Sequence, residues 1–265
     1  MSVVLWKKEW KSGWKLWVIF AAVLTMYSAI ITGMYDPELG ESLNLMMESM
    51  PELFAAFGMS DPGSTLMEFL INYLYGFLFV AIPVVFLLLL IWRVLLRYID
   101  KGTLACLLAT PNSRRTIAVT QILTMLSMLA VLAVYLTVLL YVLGETMFPG
   151  ELKSGELVAA NFGLLGLWIF LSGICWLAGC VIKETRTAMG TAGGLCILFL
   201  LIRMLADLGG DVEWMKYLTP LTLFDPLGLA KGSPEALAEM CGLYGVGLLC
   251  FLAGAAFFCR RDFSV

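Results

Sequence analysis

Six long apolar runs divide this chain and leave it few ways to fold. A helix needs about 20 mostly apolar residues to cross the hydrocarbon core of a bilayer, so such runs indicate membrane spans. The runs lie at residues 16–34, 69–92, 117–143, 157–182, 188–205 and 237–259. Because 61% of the residues are hydrophobic and only 14% are charged, little of the chain remains for a soluble domain. We therefore expect an all-α integral membrane protein with six transmembrane helices, in which residues 1–265 form one transmembrane domain.

Basic residues gather in alternate connections between the runs. If the N-terminus lies on the cytoplasmic side of the membrane, 13 of the 17 Lys and Arg residues fall in segments on that side, and the other four fall on the outer side. Those four are Lys153, Arg203, Lys216 and Lys231. Of the 20 acidic residues, the inner ones are only Glu9, Asp100, Glu184 and Asp262. The positive-inside rule therefore predicts that both termini are cytoplasmic.

Tryptophans recur every third or fourth residue before and into the first run, and lysines occupy the other side of the same helix. The tryptophans are Trp6, Trp10, Trp14 and Trp17, and the lysines are Lys7, Lys8, Lys11 and Lys15. Indoles at the headgroup level with lysines toward water are typical of a helix that lies flat on the membrane. The pattern predicts an amphipathic elbow helix at residues 3–15. The alternative is an aromatic belt at the start of the first span.

A short amphipathic segment connects the second and third runs. Residues 100–103 include residue types that cap the N-terminus of a helix, and Pro111 would prevent a short helix that begins there from continuing. Leu104, Leu107 and Leu108 have i, i+3 and i+4 spacing, so they share one face. Because the segment lies between two spans, outside the bilayer, its apolar face predicts a docking surface for a cytoplasmic protein.

Polar side chains within the spans are few. Thr120, Gln121 and Thr124 cluster in the inner half of the third run, where such residues either hold helices together or line a transport pathway. Arg203 stands four residues before Asp207, a spacing that suits an ion pair. The alternative for Arg203 is a gate or a substrate contact, because ionisable residues near the membrane interior are functional candidates.

Glycine and proline mark two of the spans. Gly190 and Gly194 form a GxxxG pattern in the fifth run, which permits close contact between helices. Pro83 is expected to kink the second span.

The connection before the last run is too apolar for a solvated loop, so we expect short helices that cap the outer end of the bundle. Its aromatic and proline residues, together with one arginine at the end of the fifth run, form a candidate exit gate. The gate residues are Arg203, Trp214, Tyr217, Pro220, Phe224 and Asp225. Acids accumulate on this side, and their negative potential would attract an amphipathic or cationic substrate. The alternative is that the acids only follow from the positive-inside bias.

Several kinds of chemistry lack the residues that they need. The chain has no histidine, which removes His-based metal sites and the Ser-His-Asp triad. The seven cysteines form no C-x-x-C motif, so we expect neither a metal site nor a disulfide. No P-loop motif occurs, and no mid-span group has a catalytic partner. We therefore expect no catalytic residue, no cofactor bound by this chain and no nucleic-acid partner.

Three stretches of the chain resemble the permease subunits of ABC-2 type transporters, a class that includes bacterial exporters of drugs, antibiotics and bacteriocins. Residues 100–115 are similar to the family pattern E-x-G-T-x-x-x-L-L-x-x-P-x-S-R. The matching residues are Gly102, Thr103, Leu107, Leu108, Pro111, Ser113 and Arg114, with Asp100 where the family usually has Glu. The other stretches are residues 46–59 and residues 214–226, the latter followed by a final span and a basic tail at 260–262.

The resemblance implies the membrane subunit of an ATP-driven exporter in the plasma membrane of a bacterium. Two permease chains, identical or different, would assemble with two cytoplasmic ATPase subunits, which would bind ATP and Mg. Residues 100–111 would form the coupling helix that docks on the ATPase, followed by Arg114. The chain itself would not be an enzyme. Two alternatives remain: an energy-independent channel, scaffold or immunity protein, and, less favoured, an intramembrane enzyme.

Overall fold

The computed structural model describes residues 2–35, 49–50, 65–100, 102, 113–208 and 210–260, and within these ranges it contains helices and connections but no strand. Six of the helices are long and apolar enough to cross a membrane. They are α1 (Val3–Met34), α2 (Leu66–Asp100), α3 (Arg114–Met147), α4 (Ser154–Val181), α5 (Thr185–Asp207) and α6 (Pro234–Arg260). Each apolar run falls within one of these helices to within a residue, so the all-α, six-span fold is confirmed.

Helix α4 forms the centre of the bundle. It contacts α2, α3, α5 and α6. In its most apolar 18-residue stretch 72% of the residues are buried, the largest such share among the six helices. Glycines bring it close to α6, because a Cβ placed on Gly173 would lie 2.5 Å from the carbonyl oxygen of Gly247. A helix that is apolar on every side is typical of a fully buried position. The small residues then set how closely its neighbours approach.

The N-terminal helix differs from expectation, because the predicted elbow at residues 3–15 is not a separate element. Helix α1 runs from Val3 to Met34 without a break and contains no proline that could start a new helix. Two of its indoles bond to α3: Trp10 Nε1 donates to Ser127 Oγ at 2.9 Å, and Trp17 Nε1 donates to the Met128 carbonyl at 3.2 Å. These tryptophans therefore find their hydrogen-bond partners inside the bundle, as the alternative of a continuous first span allows.

The ends of the six helices gather in two groups. At one end, here called the basic end, α1, α3 and α5 begin while α2, α4 and α6 end. Arg93 of α2 donates to the Ser12 carbonyl at 2.7 Å there. At the opposite end the Tyr35 and Phe148 rings meet at 5.0 Å, and Lys231 pairs with Glu68 at 3.4 Å. Most of residues 46–59, the second stretch of the family resemblance, lies outside the described residues, as do Arg261 and Asp262 of the basic tail.

Candidate functional site

The structure describes both flanks of the predicted coupling segment. Helix α2 ends at Asp100, and the N–H of Gly102 donates to the Ile99 carbonyl at 3.1 Å. Gly102 has a φ of 63°, a left-handed conformation that glycine adopts without a steric penalty and that commonly ends helices. Helix α3 then begins at Arg114, with the Ser113 hydroxyl accepting from the Thr116 N–H at 3.2 Å. The remaining predicted residues, Thr103, Leu104, Leu107, Leu108 and Pro111, lie outside the described residues.

The helix that leads into this segment is irregular. Helix α2 contains two π-helical stretches, Ile71–Leu78 and Trp92–Leu96, on either side of Pro83. Because proline has no N–H, the carbonyl of Phe79, four residues earlier, loses its usual partner in the helix. The indole of Trp168 in α4 donates to that carbonyl at 2.9 Å. A side chain from the central helix thus satisfies the backbone where α2 is interrupted, which sequence spacing could not reveal.

The predicted pathway residues Thr120, Gln121 and Thr124 are all fully buried, and the first two join α3 to its neighbours. Gln121 Nε2 donates to the Val94 carbonyl in the second π-helical stretch of α2 at 2.8 Å. Thr120 Oγ1 accepts from the backbone N–H of Ser2 at 2.9 Å. Thr124 donates to the Thr120 carbonyl at 2.8 Å. The contacts of Thr120 and Gln121 hold helices together, so a pathway role for these two residues would require α3 to separate from the start of α1 and from α2.

A buried carboxylate, which no sequence motif indicated, links α1 to the last turns of α2. Of the acidic side chains that the structure describes, only Glu9 is buried, with 1% of its surface exposed. Its Oε1 accepts a hydrogen bond from the Tyr98 hydroxyl. Arg97 and Lys8 lie over the Tyr98 ring at 5.4 and 5.6 Å. Glu9 is the only acid in the first 35 residues, and that isolation was the available signal.

The other predicted elbow residues have varied surroundings. Trp6 and Trp10 contact each other edge to face at 6.1 Å between ring centroids. Trp14 is half exposed, and Lys7 and Lys11 are exposed. The exposed lysines can therefore still face water or lipid phosphates, while Trp10 packs against α3.

The connection between α5 and α6, predicted to cap the outer end of the bundle and here called the outer cap, is bound to the end of α5 through the predicted gate arginine. Arg203 lies 3.8 Å from Asp207, and its Nη1 donates to the Leu221 carbonyl at 3.1 Å. Thr219 adds a second bond, from its hydroxyl to the Phe199 carbonyl at 3.0 Å. Arg203 therefore pairs as its spacing predicted and also fastens the cap.

The remaining gate residues do not all come together. Pro220 begins the 3-10 turn Pro220–Leu223, and Asp225 Oδ1 accepts from the Gly228 N–H at 2.9 Å to cap the short helix that follows. Phe224 is a core residue that is 2% exposed. Trp214 and Tyr217 are 59% and 83% exposed, so they lie on the surface and not beside Phe224.

Thiols contribute packing between α4 and α5. The sulfurs of Cys175 and Cys196 are 3.8 Å apart and both residues are buried. This distance is well beyond the roughly 2.05 Å of a disulfide. Across the described ranges, no three His, Cys, Asp or Glu residues are grouped closely enough to hold a metal ion.

Comparison with known proteins identifies one family. The chain matches the family model described as ABC-2 family transporter protein over residues 3–230. The match extends from the first turn of α1 to the end of the short helix Pro226–Ala230, so it includes five of the six long helices and the outer cap. No curated protein matched the sequence.

Proposed function

Because this chain belongs to the ABC-2 family of transporter proteins, we propose that it is the permease subunit of an ATP-binding-cassette exporter, driven by a separate cytoplasmic ATPase. The observation that carries the proposal is the family match over residues 3–230 of a chain with six membrane-spanning helices. The chain contains no P-loop motif, so ATP and Mg would bind a partner subunit present in two copies.

In this proposal the basic end faces the cytoplasm of a bacterium and residues 100–111 dock on the ATPase. Each leucine of the docking face would contribute roughly 1.5–3 kcal/mol when buried in an ATPase groove. A movement of the docked segment would pass directly into α2 and α3, which flank it. It would also reach α1, because Glu9 contacts Tyr98 and Ser2 contacts Thr120. The outer cap held by Arg203 is the corresponding candidate for the exit gate.

Replacing Leu107 and Leu108 together by serine is expected to abolish recovery of the ATPase with the permease, or to uncouple ATP hydrolysis from transport. The six-span fold should persist, since these residues lie between spans. The measurement is affinity purification of the tagged chain from membranes of its own host, with mass spectrometric identification of any P-loop ATPase, alongside hydrolysis and transport rates.

A matched control introduces serine on the opposite face of the same predicted helix, as Cys106→Ser with Thr110→Ser. This variant should retain the ATPase. If the leucine variant keeps both ATPase binding and coupled transport, residues 100–111 are not the coupling helix. If the unaltered chain recovers no P-loop ATPase at all, the permease assignment itself is contradicted.

We also propose that a second permease chain, identical or different, packs against α5. A Cβ placed on Gly190 or on Gly194 would meet no atom of the described residues within 4 Å, so the GxxxG face is open in that part of a single chain. Gly193, by contrast, faces Leu88 of α2, with 3.3 Å from its built Cβ to the nearest leucine carbon. Exposed apolar residues continue the open face toward the outer end, including Leu198 and Leu201. Small residues on an open helical face support close helix pairing in a membrane.

Substituting leucine at both Gly190 and Gly194 is expected to shift the purified permease from a two-chain species to single chains, because the added side chains prevent close backbone approach. Mass measurement in detergent reports the change. Val134→Leu with Val138→Leu, on the exposed face of α3, is the control and should leave assembly unaltered. A pair of chains that survives the glycine substitutions would place the contact on another face.

A further inference from the structure

Two cavities flank the end of α6 at the basic end. The larger, of about 590 Å³, lies between the start of α3 and the end of α6 and is lined by Arg114, Arg115 and Arg260. The smaller, of about 230 Å³, lies between the ends of α4 and α6 and is lined by Lys183 and again by Arg260. Arg260 therefore belongs to both cavities, which lie on two sides of one helix end.

The walls of both cavities are apolar below this basic rim. Val119 and Ala256 line the larger cavity, and Val181 and Phe257 line the smaller one. Phe257 is 53% exposed, on a helix that is long and apolar enough to cross the membrane. Among the described residues that line either cavity, none is acidic. Each cavity thus combines cations at the helix ends with an apolar wall along α6.

This combination matches the two parts of a phospholipid. Arginine guanidinium groups bind phosphate through paired hydrogen bonds, and lysine binds it as a point charge. Acyl chains are as apolar as the side chains that line the walls. Basic pockets between membrane helices at the cytoplasmic surface are suited to anionic lipid headgroups. The positive-inside bias accounts for basic residues at this end, but not for their grouping around cavities beside one helix.

We propose that the end of α6 is a binding site for anionic phospholipid, with the phosphate held by Arg114, Arg115 and Arg260 in the larger cavity. Lys183 and Arg260 hold a second phosphate in the smaller cavity, and the acyl chains lie against α3 and α6. Such a lipid joins the first turn of α3 to the end of α6. The site does not depend on transport activity, because it requires only the described helices and a membrane.

The test measures lipid retained by the full chain after purification in detergent, with native mass spectrometry and thermal unfolding as readouts. Phosphatidylglycerol, cardiolipin and phosphatidylcholine of the same acyl composition are added separately, and inorganic phosphate is added alone. The anionic lipids should bind and raise the melting temperature, and phosphatidylcholine should do so far less. Arg115→Gln with Arg260→Gln should weaken binding of phosphatidylglycerol about tenfold or more, since each basic residue near an anionic surface contributes about 1 kcal/mol.

A matched control removes two other exposed basic residues of the same end that line neither cavity, as Lys15→Gln with Arg186→Gln. It should weaken binding less than twofold. Equal losses in both double variants would overturn the site in favour of diffuse positive charge. Equal retention of phosphatidylcholine, or full stabilisation by phosphate alone, would also overturn it. Arg115→Lys with Arg260→Lys keeps the charge and should retain most binding, which separates loss of the site from loss of the fold.

Discussion

Gly247→Ala is expected to destabilise the helical bundle by about 1–3 kcal/mol, although alanine is normally the better helix former. A Cβ placed at residue 247 would lie 2.8 Å from both the Cα and the backbone nitrogen of Phe170, and 3.0 Å from the carbonyl carbon of Ile169. These are backbone atoms of the central helix α4, which cannot rotate away as a side chain could. The two helices would have to separate, and α4 contacts four other helices.

Gly245→Ala is the control for this substitution, because it makes the same chemical change in the same helix. A Cβ at residue 245 would meet no atom within 4 Å in the part of the chain that the structure describes, so its effect should stay within about 0.5 kcal/mol of zero or be slightly stabilising. Unfolding of both variants in the same detergent, followed by tryptophan fluorescence, gives the comparison. If Gly247→Ala is as stable as Gly245→Ala, α4 and α6 do not approach each other this closely in the protein.

Tyr98→Phe is expected to cost about 1.5–3 kcal/mol, the contribution of a hydrogen bond to a charged group in a buried site. The substitution removes the hydroxyl that donates to Glu9 Oε1. The other oxygen, Oε2, has no hydrogen-bond partner among the described residues, so the buried carboxylate would lose its one such contact there. The nearby charges of Lys8, Arg93 and Arg97 would remain but would not replace the hydroxyl.

The double variant Glu9→Leu with Tyr98→Phe tests whether the loss of stability in Tyr98→Phe arises from the hydrogen bond between Tyr98 and Glu9. Replacing both partners by apolar groups removes the unsatisfied carboxylate, so the double variant should be more stable than Tyr98→Phe alone. Tyr141→Phe removes a hydroxyl from a partly exposed tyrosine of α3 and serves as the control, with an expected effect within about 0.5 kcal/mol. Additive losses in the double variant would contradict a direct Glu9–Tyr98 interaction.

Local features of the chain were predictable because local physics produces them. Six runs of apolar residues had to form membrane-spanning helices, and Gly102 and Ser113 carry the chemistry that ends one helix and begins the next. The spacing of Arg203 and Asp207 likewise brought the two together on one helix. Hydrophobicity, helix capping and i,i+4 contacts each depend on residues a few positions apart, so they can be recognised without knowing how the helices pack.

The tertiary structure decided which helical faces meet, and with them the role of most polar side chains. The tryptophan pattern of α1 suits a helix lying flat on the membrane as well as it suits a continuous first span. The hydrogen bonds from Trp10 and Trp17 to α3 are what distinguish the two. The partner of Glu9 is 89 residues away, and so is the indole that satisfies the Phe79 carbonyl left free by Pro83. A buried polar group needs a partner, but its own sequence neighbourhood does not say where that partner comes from. Helix packing supplies it, and packing depends on the shapes of whole surfaces rather than on any short stretch of the chain.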